Sequence, residues 1–446
     1  MSQHPAAPGP ATRPTLDDLK VLRDRPHDFL RSVAGNEGVV RLPLGPLSFH
    51  FVTAPEAVER VLVGNAANYH KHTFQYRLLA RITGEGLLTL DGPAWLRRRR
   101  LAQPSFHRDR VAGFAPVFTR VSRQLGDRWT IAARSGQQVD VAADMMLVAL
   151  QAVVECLFGT RIGDEADVLA RATLDVLHHI MHQARTLGVV PGWVPTRRNR
   201  RFRRALGVLD GAIYQTLRER RQAGGDERND LLGRLMAARV DGESLSDQEL
   251  RDEMITLLIA GHETVASALA WTWDLLAVHP DVEARFHDEV DRLPDDASEV
   301  PDLRDFRFTG AVFEEALRLY PPAWIVSRKS READVLGGFR VPAGALVVLS
   351  PYVTQRRSDL WPDPDSFQPE RFLDRSVERP RFAYFPFGGG AHLCIGNHFA
   401  ILEAAMILAT LGQRFRLRRA ADAQPEVEPG VTLQPRDGLL MRVETR

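Results

Sequence analysis

The clearest pattern in the chain is a long, mostly apolar stretch between Ser246 and Pro280. Ser246 and Glu249 form a capping box, which predicts a helix that begins at Asp247 and ends near His279, because Pro280 stops it. At 1.5 Å per residue this helix is about 50 Å long, enough to cross a whole domain. Its middle, LLIAGHETVASALAWTW, is apolar nearly all round, which indicates burial. The polar residues at its centre therefore need a partner or a purpose.

Shorter patterns predict the remaining elements. The segment VVRLPLGPLSFHFVTAP predicts two strands around a Gly-Pro turn, and the chain after it is mostly helical to about Leu319. A second helix, about Thr309 to Leu319, ends at Tyr-Pro-Pro. GGFRVPAGALVVLSPYV has the alternation of small sheets, the meander WPDPDSFQPERF follows, and GNHFAILEAAMILATLGQRF predicts a closing helix. We expect a disordered segment over residues 1–14 and one mainly α domain with small β-sheets over residues 15–446.

Composition narrows the class of protein. The 58 basic and 57 acidic side chains nearly cancel, so we expect no nucleic-acid partner. Two cysteines cannot form a disulfide framework, which suits a reducing compartment. The N-terminus lacks the apolar stretch of a signal peptide, and we see no uninterrupted apolar run of about 18 residues. A cytoplasmic protein is expected, although a lipid substrate could bring it to a membrane surface.

The cysteine Cys394 lies in an unusual setting, the stretch FPFGGGAHLCIG. Glycines before it allow the backbone to approach something flat and large. A helix is predicted directly after it, so its sulfur would lie near free N–H groups, which favour the thiolate. A thiolate held by backbone donors is what an iron ligand requires. Cys156, in the apolar stretch VVECLFG, is expected to be a small buried hydrophobe.

Five residues of this stretch match a known signature: Phe387, Gly390, His392, Cys394 and Gly396. In their spacing the chain resembles the cytochrome P450 family, and the resemblance covers nearly the whole chain. It implies the fold of that family, haem b as cofactor, Cys394 as the axial ligand of the iron, and Phe387 beside the haem. It also implies an oxidoreductase, a monooxygenase that inserts one oxygen atom of O2 into a C–H bond of a hydrophobic substrate.

The motif EALR carries a structural part of the resemblance. Glu315 and Arg318 share a helix face, and in the family this pair locks with the arginine of PERF, here Arg371. We expect a buried charge network that fixes the core and takes no part in the chemistry.

The motif AGHET, at the centre of the long helix, resembles the oxygen-activating helix of the family. The resemblance implies that Gly261 admits a ligand close to the helix, and that Thr264 and Glu263 deliver protons for O–O cleavage. A zinc site is the alternative interpretation of His-Glu-Thr, but Ala266 stands where the second histidine of that motif is needed.

The stretch WLRRRR resembles the part of the family that reaches the haem propionates. Trp95 and Arg99 are the matching residues, and Arg328 and His392 match two further propionate contacts. The remaining arginines of the run are expected to form a basic surface, where an acidic electron donor could dock. Since no flavin or nicotinamide segment follows the last helix, we expect electrons from external NAD(P)H through a separate ferredoxin and ferredoxin reductase.

The substrate is indicated by longer segments. FQYRLLARITGEGLLT, AGHETVASALAWTW, EALRLYPPAWI and VLSPYVTQR resemble bacterial P450s that hydroxylate the ionone rings of carotenoids such as β-carotene. The apolar pocket inferred from this resemblance comprises Phe74, Leu78, Ala260, Trp324 and Ile325. Two inserts, RRQAGGDERND and LPDDASEVPDL, and the longer N-terminus depart from that group, and these could alter partner docking or substrate entry.

Three alternatives stay open. The enzyme could hydroxylate fatty acids or other terpenoids, it could be driven by peroxide, or the chain could be a haem sensor or carrier without catalysis. The Glu263–Thr264 pair argues against a peroxide-driven enzyme, because such enzymes typically lack this relay. The four motifs in family order argue against a sensor.

Overall fold

The computed structural model describes residues 4–9, 20–22, 24–35, 37–44, 47–159, 164–185, 193–222, 230–294, 306–374, 376–420 and 424–446. These residues group into two compact units. Unit 1 comprises Met1–Gln75, Glu314–Cys394 and Val427–Gln434. Unit 2 comprises Tyr76–Phe313, Ile395–Glu426 and Pro435–Arg446. The single domain predicted over residues 15–446 stays a prediction.

Helices dominate the secondary structure. In chain order they are α1 (Pro26–Val33), α2 (Pro55–Glu59), α3 (Phe74–Thr83), α4 (Gly92–Ala102), α5 (Arg108–Ala112), α6 (Ala115–Ser135), α7 (Val141–Phe158), α8 (Asp164–Arg185), α9 (Arg197–Gln222), α10 (Leu231–Ala237), α11 (Asp247–Val278), α12 (Pro280–Val290), α13 (Arg307–Leu319), α14 (Pro351–Thr354), α15 (Glu370–Leu373) and α16 (Asn397–Gly412). Short 3₁₀ turns occur at Ala66–Asn68, Gln103–Phe106 and Gly390–His392, and a π turn at Arg60–Gly64.

The strands are short and form small sheets. They are β1 (Val39–Leu44), β2 (Leu47–Val52), β3 (Tyr69–His70), β4 (Gln138–Asp140), β5 (Val326–Ser330), β6 (Asp334–Leu336), β7 (Phe339–Val341), β8 (Leu346–Leu349), β9 (Phe415–Arg419), β10 (Val427–Pro429), β11 (Leu433–Pro435) and β12 (Leu440–Thr445). The predicted mainly α fold with small β-sheets is confirmed.

Unit 1 is built on a five-stranded sheet of order β1-β2-β8-β5-β3. β1 and β2 are antiparallel, with Val39 opposite Val52, and β2 runs parallel to β8. The apolar faces of these strands pack with Phe382 and Phe385, which precede the cysteine loop. The buried side chain of Gln355 fixes this loop, because its Oε1 accepts from the Phe385 amide at 3.0 Å. The sheet therefore supports the segment that leads to Cys394.

Unit 2 has α11 at its centre. Trp273 of α11 lies edge-on to Trp129 of α6 and Phe286 of α12, with ring centroids 6.1 Å apart in both pairs. Phe118 of α6 meets Phe399 of α16 in the same way at 5.1 Å. Such edge-to-face contacts stabilise an apolar core beyond the area that they bury. A three-stranded sheet, β4-β12-β9, completes the unit.

The sequence shows no uninterrupted apolar run of about 18 residues, but unit 2 contains two long helices that are apolar on average. α7 and α11 are long and apolar enough to cross a membrane by length and composition. However, 61% and 83% of their most apolar windows are buried inside the protein. Core helices of a soluble protein have the same composition, so these helices are weak evidence for membrane insertion.

The predicted helix bounds agree closely with the structure where local signals set them. The capping box of Ser246 and Glu249 is formed, and α11 ends at Val278, one residue before the predicted end. Both strands of VVRLPLGPLSFHFVTAP are present, whereas the Gly-Pro turn lies outside the described residues. In VLSPYV the structure differs, because Ser350 caps a short helix, α14, in place of a continuing strand.

The N-terminus also differs from the sequence expectation of disorder. Residues 4–9 belong to unit 1 and are held by two backbone hydrogen bonds. The Arg340 amide donates to the Pro5 carbonyl at 2.9 Å, and the Arg41 amide donates to the Pro8 carbonyl at 2.8 Å. These backbone bonds hold the segment against strands on both sides. Residues 1–3 and 10–14 lie outside the described residues, as do most of the two inserts.

Candidate active site

The cysteine loop of unit 1 holds Cys394 by its backbone. The Cys394 amide donates to the Phe387 carbonyl at 3.0 Å, and the Leu393 amide donates to the Gly390 carbonyl at 3.1 Å. These bonds close the loop and leave Cys394 exposed. The other cysteine, Cys156, is buried in unit 2, and its burial raises the pKa of its thiol. The two cysteines thus have the contrasting surroundings that the sequence predicts.

The glycines of this loop have two different roles. Gly388 and Gly390 have φ of +72° and +66°, the left-handed region that favours glycine. A Cβ at Gly390 would lie 2.0 Å from the Leu62 carbonyl oxygen, and one at Gly389 would lie 2.3 Å from the Phe382 ring. Gly389 and Gly390 are therefore required by the packing of unit 1 itself, and the room that the loop leaves for a flat ligand stays a prediction.

A helix N-terminus follows the cysteine, as the sequence predicts. α16 begins at Asn397, and Gly396 supplies no side-chain cap to its first turn. The His398 amide donates to Asn397 Oδ1 at 2.7 Å, and the N–H groups of this turn form the positive end of the helix dipole. A negatively charged ligand atom two to three residues upstream would be stabilised by that field.

The candidate propionate residues are distributed over both units. In unit 1, Arg328 is buried on β5, where its Nη1 donates to the Ser327 carbonyl at 2.9 Å, and His392 is half-buried in a 3₁₀ turn. In unit 2, Trp95 is buried on α4 and Arg99 is half-buried. Their roles toward a haem stay predictions.

The arginine run of α4 is only partly the basic surface that the sequence suggests. Arg98 is buried, and its Nη1 donates to Glu253 Oε1 at 3.0 Å. Arg97 pairs with Glu243 at 2.6 Å and with Glu249 at 2.8 Å. Carboxylates of the α11 region thus neutralise two of the four arginines, and Arg100 is left as the exposed member of the run.

The charge network of unit 1 joins the three residues that the sequence singles out. Arg318 Nε and Nη2 donate to the two oxygens of Glu315 at 2.6 and 2.7 Å, and both side chains are fully buried. Arg371 Nε lies 3.4 Å from Glu315 Oε1. Arg318 also donates to the carbonyls of Gln355, Pro364 and Ser366. The network ties α13 to the meander before the cysteine loop, which is a structural role.

The centre of α11 has one open stripe on an otherwise buried helix. Ala260 is exposed, and Leu257, Gly261 and Thr264 are half-buried, whereas their neighbours on the helix are buried. These positions lie on one face by their spacing of three and four residues. Thr264 Oγ1 donates to the Ala260 carbonyl at 2.8 Å, and Glu263 is buried. The stripe is apolar apart from the Thr264 hydroxyl.

Two neighbours of Thr264 have functions within the core. A Cβ at Gly261 would lie 3.1 Å from Val153 Cγ2, so this glycine lies where α11 packs closely on α7 and a side chain would require Val153 to shift. His262 is fully buried, and its Nδ1 donates to the Leu258 carbonyl at 2.7 Å. Burial lowers the pKa of His262 to about 4, so the ring is neutral near pH 7. His262 thus faces the core of unit 2, whereas Gly261 lies between the open stripe and the contact with α7.

The five predicted pocket residues have different surroundings. Ala260 belongs to the open stripe, and Phe74 is 44% exposed in unit 1. Leu78 is buried on α3. Trp324 is 5% exposed, packs in the apolar core of unit 1, and donates from Nε1 to the Gly430 carbonyl at 3.0 Å. Ile325 packs against the same core, and the role of all five residues in a pocket stays a prediction.

Sequence reasoning missed a second group of buried charges on α11, Asp252 and Glu253. Both carboxylates lie before the AGHET motif and accept backbone N–H groups from the turn after α3. The signal was present, since two adjacent acids in a stretch predicted to be buried need partners. The partners could not be read from the sequence, because they lie 167 and 166 residues away.

Comparison with known proteins gives a consistent result. A family model described as Cytochrome P450 matches residues 8–442. Cyclooctat-9-en-7-ol 5-monooxygenase of Streptomyces melanosporofaciens is 34% identical over 430 residues, which cover 95% of this chain and 90% of the relative. Protein LUTEIN DEFICIENT 5, chloroplastic, of Arabidopsis thaliana is 30% identical over 434 residues, 92% of this chain and 72% of the relative. The crystal structure of the cytochrome P450DA heme domain aligns with a TM-score of 0.89 at 29% identity, over 99% of this chain and 98% of that one.

Proposed function

Because the chain belongs to the cytochrome P450 family and is a monooxygenase, we propose that it hydroxylates the ionone ring of a carotenoid such as β-carotene. The open stripe of α11 carries this proposal, because it offers a hydrocarbon an apolar surface with a single hydroxyl, that of Thr264. The relatives support the substrate class, since cyclooctat-9-en-7-ol and lutein are both isoprenoids.

Haem b is the cofactor that the family implies, and the residues present fit it. Cys394 is exposed at the end of a closed loop and precedes the N-terminus of α16 by three residues. When bound, a haem iron held by a thiolate activates O2 so that one oxygen atom enters a C–H bond. We assign the ligand sulfur to Cys394. Arg328 and His392 in unit 1, and Trp95 and Arg99 in unit 2, are the residues proposed to hold the propionates, with Phe387 beside the ring.

Protons for the reaction are assigned to two residues of α11. Thr264 Oγ1 already donates to the Ala260 carbonyl, so its lone pairs remain able to accept a hydrogen bond from a proton donor. Glu263 is the adjacent acid, buried on the same helix. We propose that the pair holds and moves protons at Thr264 Oγ1.

Spectral titration distinguishes the carotenoid proposal from the fatty-acid alternative. Addition of β-carotene to the haem-loaded protein is expected to shift the spin state of the iron, whereas palmitate is expected to leave the spectrum unchanged. A carboxylate would need a cation, and the α11 stripe presents none. A shift with palmitate alone would overturn the carotenoid proposal.

A second candidate substrate is a cyclic terpenoid alcohol. The 34% identity to a monooxygenase named for cyclooctat-9-en-7-ol favours this substrate over a fatty acid. The same titration with a cyclic diterpene alcohol tests this candidate. A shift with the alcohol and none with β-carotene would replace the carotenoid by the smaller substrate.

Electron delivery is proposed to come from NAD(P)H through a ferredoxin reductase and a ferredoxin. An acidic ferredoxin would be attracted by exposed arginines, and Arg100, Arg108 and Arg110 are exposed in unit 2. Reconstitution with both proteins is expected to support turnover. Turnover with hydrogen peroxide but not with the two proteins would favour the peroxide-driven alternative.

A cytoplasmic location with peripheral contact to a membrane surface fits a lipid substrate. Six arginines of α9 are exposed: Arg197, Arg198, Arg200, Arg201, Arg203 and Arg204. Trp193, just before them, is 78% exposed. Arginines that attract anionic headgroups and a tryptophan at the interface are typical of such contacts. Co-sedimentation with vesicles of phosphatidylglycerol, and not with phosphatidylcholine vesicles, is expected.

A further inference from the structure

The turn between α3 and α4, residues Gly84–Leu90, has an unusual set of restraints. Within the turn, Thr89 Oγ1 donates to the Gly84 carbonyl at 2.8 Å, and the Leu90 amide donates to the Gly86 carbonyl at 2.9 Å. These local bonds leave the amides of Glu85 and Leu87 directed to another element. The turn belongs to FQYRLLARITGEGLLT, the segment whose resemblance to carotenoid hydroxylases indicates the substrate.

Two adjacent carboxylates of α11 bind those amides. The Glu85 amide donates to Asp252 Oδ2 at 2.9 Å, and the Leu87 amide donates to Glu253 Oε2 at 3.1 Å. Both acids are buried, and all of these residues belong to unit 2. The second oxygen of Glu253 accepts from Arg98 on α4 at 3.0 Å. Glu253 therefore joins α11 to both sides of the turn.

The two glycines of the turn permit this close approach. A Cβ at Gly84 would lie 2.3 Å from Asp252 Oδ1. A Cβ at Gly86 would lie 2.1 Å from Thr256 Oγ1. A side chain at either position would require the turn or the Asp252 and Thr256 side chains to shift. The sequence Gly-Glu-Gly is thus shaped for docking on this stretch of α11.

The docking point lies on the same helix as the open stripe. Thr256, Ala260 and Thr264 follow one another at intervals of four residues, so they lie along one side of α11. Eight residues separate Thr256 from Thr264, which is about 12 Å along the axis. A shift of the turn would therefore change the apolar surface presented one to two turns from Thr264.

We propose that Asp252 and Glu253 are positioning residues that hold the Gly84–Leu90 turn on α11 and thereby determine which part of a substrate reaches Thr264. The inference rests on the proposed function in one respect, namely that the substrate lies on the open stripe of α11 near Thr264. The docking itself does not depend on which substrate is bound.

The electrostatics of Glu253 give the clamp a pH dependence. Burial raises the pKa of Glu253 to about 7, and the Leu87 amide and Arg98 oppose this shift. The negative charge of Asp252 also raises the pKa of Glu253. Arg98 bonds to Glu249 as well, and Glu249 in turn pairs with Arg97, so these two charges are connected to Glu253 by way of Arg98. The charged carboxylate accepts stronger hydrogen bonds than the neutral acid. The turn is therefore held more firmly at pH 8 than at pH 6.

Hydrogen exchange of the peptide that contains Leu87 tests the clamp without any substrate. In the wild type, the protection factor of this peptide is expected to be about fivefold higher at pH 8 than at pH 6, the ratio for a charge-assisted against a neutral bond. Glu253→Gln is expected to show the low protection at both pH values. Glu249→Gln is the matched control. Like Glu253, the Glu249 carboxylate accepts from Arg98, but its other donors are Arg97 and the Ser246 amide and not the amides of the turn.

Ligand binding to the haem-loaded protein tests the consequence for the pocket. Glu253→Gln is expected to weaken the binding of 1-phenylimidazole at least several-fold and to leave the binding of imidazole unchanged. Only the larger ligand carries a ring that extends from the iron into the pocket. Should Glu253→Gln fail to fold, the same test is made with Asp252→Asn, in which the hydrogen exchange of the Glu85 amide is measured. Unchanged protection of the turn in both variants would overturn the clamp. Altered protection with unchanged 1-phenylimidazole binding would overturn its role in specificity, and neither result depends on carotenoid turnover.

Discussion

The carboxylate of Glu315 lies 2.6 and 2.7 Å from two guanidinium nitrogens of Arg318, and neither side chain is exposed. A buried ion pair of this kind is costly to break, because the remaining charge keeps its desolvation penalty. Arg318 moreover donates to two backbone carbonyls of the meander that leads to the cysteine loop, those of Pro364 and Ser366, and to the carbonyl of Gln355 before it. The pair therefore couples the stability of unit 1 to the geometry around Cys394.

Glu315→Gln is expected to lower the free energy of unfolding by about 3–5 kcal/mol, as for other broken buried pairs. Urea denaturation followed by circular dichroism measures this change. Glu426→Gln is the control, because Glu426 is exposed and its partner Arg436 is half-buried. This variant should lower the free energy of unfolding by less than about 1 kcal/mol. Equal losses in the two variants would contradict the structural role of Glu315.

The two cysteines allow a matched test of the iron ligand. Cys394→Ser is expected to abolish the thiolate-type absorption of the reduced carbon monoxide complex, because an alcohol replaces the thiolate. Cys156→Ala should keep that absorption, since Cys156 is buried in the core of unit 2. An unchanged spectrum in Cys394→Ser would refute the ligand assignment.

Thr264→Ala is expected to slow product formation by about 10²-fold, the lower end of the contribution of a positioned proton donor. NAD(P)H consumption should continue, so peroxide release per product should rise. Thr264→Ser keeps a hydroxyl able to donate to the Ala260 carbonyl and should restore much of the coupling. The ratio of peroxide to hydroxylated product measures the effect, and equal ratios in wild type and Thr264→Ala would exclude a proton role for the hydroxyl.

His262 gives a pH dependence of stability with a defined sign. Its pKa is lowered by burial to about 4, whereas an unfolded histidine titrates near 6.5, so the unfolded state binds more protons between these values. Stability should therefore fall as the pH drops from about 6.5 to 4, by about 3 kcal/mol from this residue. Unfolding free energies of wild type and His262→Leu at several pH values measure the difference. Parallel pH profiles would show that His262 does not titrate as stated.

Local signals explain which parts of the fold the sequence predicts well. The capping box at Ser246 and the proline at 280 define α11 to within one residue, because both act within a single turn. The EALR and PERF motifs predict a contact between Glu315 and Arg371 only through family resemblance, since 56 residues separate them. The periodicity of α4 does not identify which arginine of the run is buried.

Long-range packing explains what could not be predicted from the sequence. The indole N–H of Trp324 donates to the Gly430 carbonyl more than 100 residues away, and the ring packs in the core of unit 1; neither contact could be predicted from the sequence. Gly84 and Gly86 look like ordinary turn glycines, although their contacts with Asp252 and Thr256 require them. Such residues acquire their roles from elements that only the folded chain brings together.

The most direct test of the proposed function is product analysis with β-carotene under ¹⁸O2, using the haem-loaded protein with ferredoxin, ferredoxin reductase and NAD(P)H. We predict a ring-hydroxylated carotenoid that contains one ¹⁸O atom for each hydroxyl formed, and its loss in Cys394→Ser. No hydroxylated carotenoid with a competent electron supply, or hydroxyl oxygen that does not come from ¹⁸O2, would contradict the proposed function.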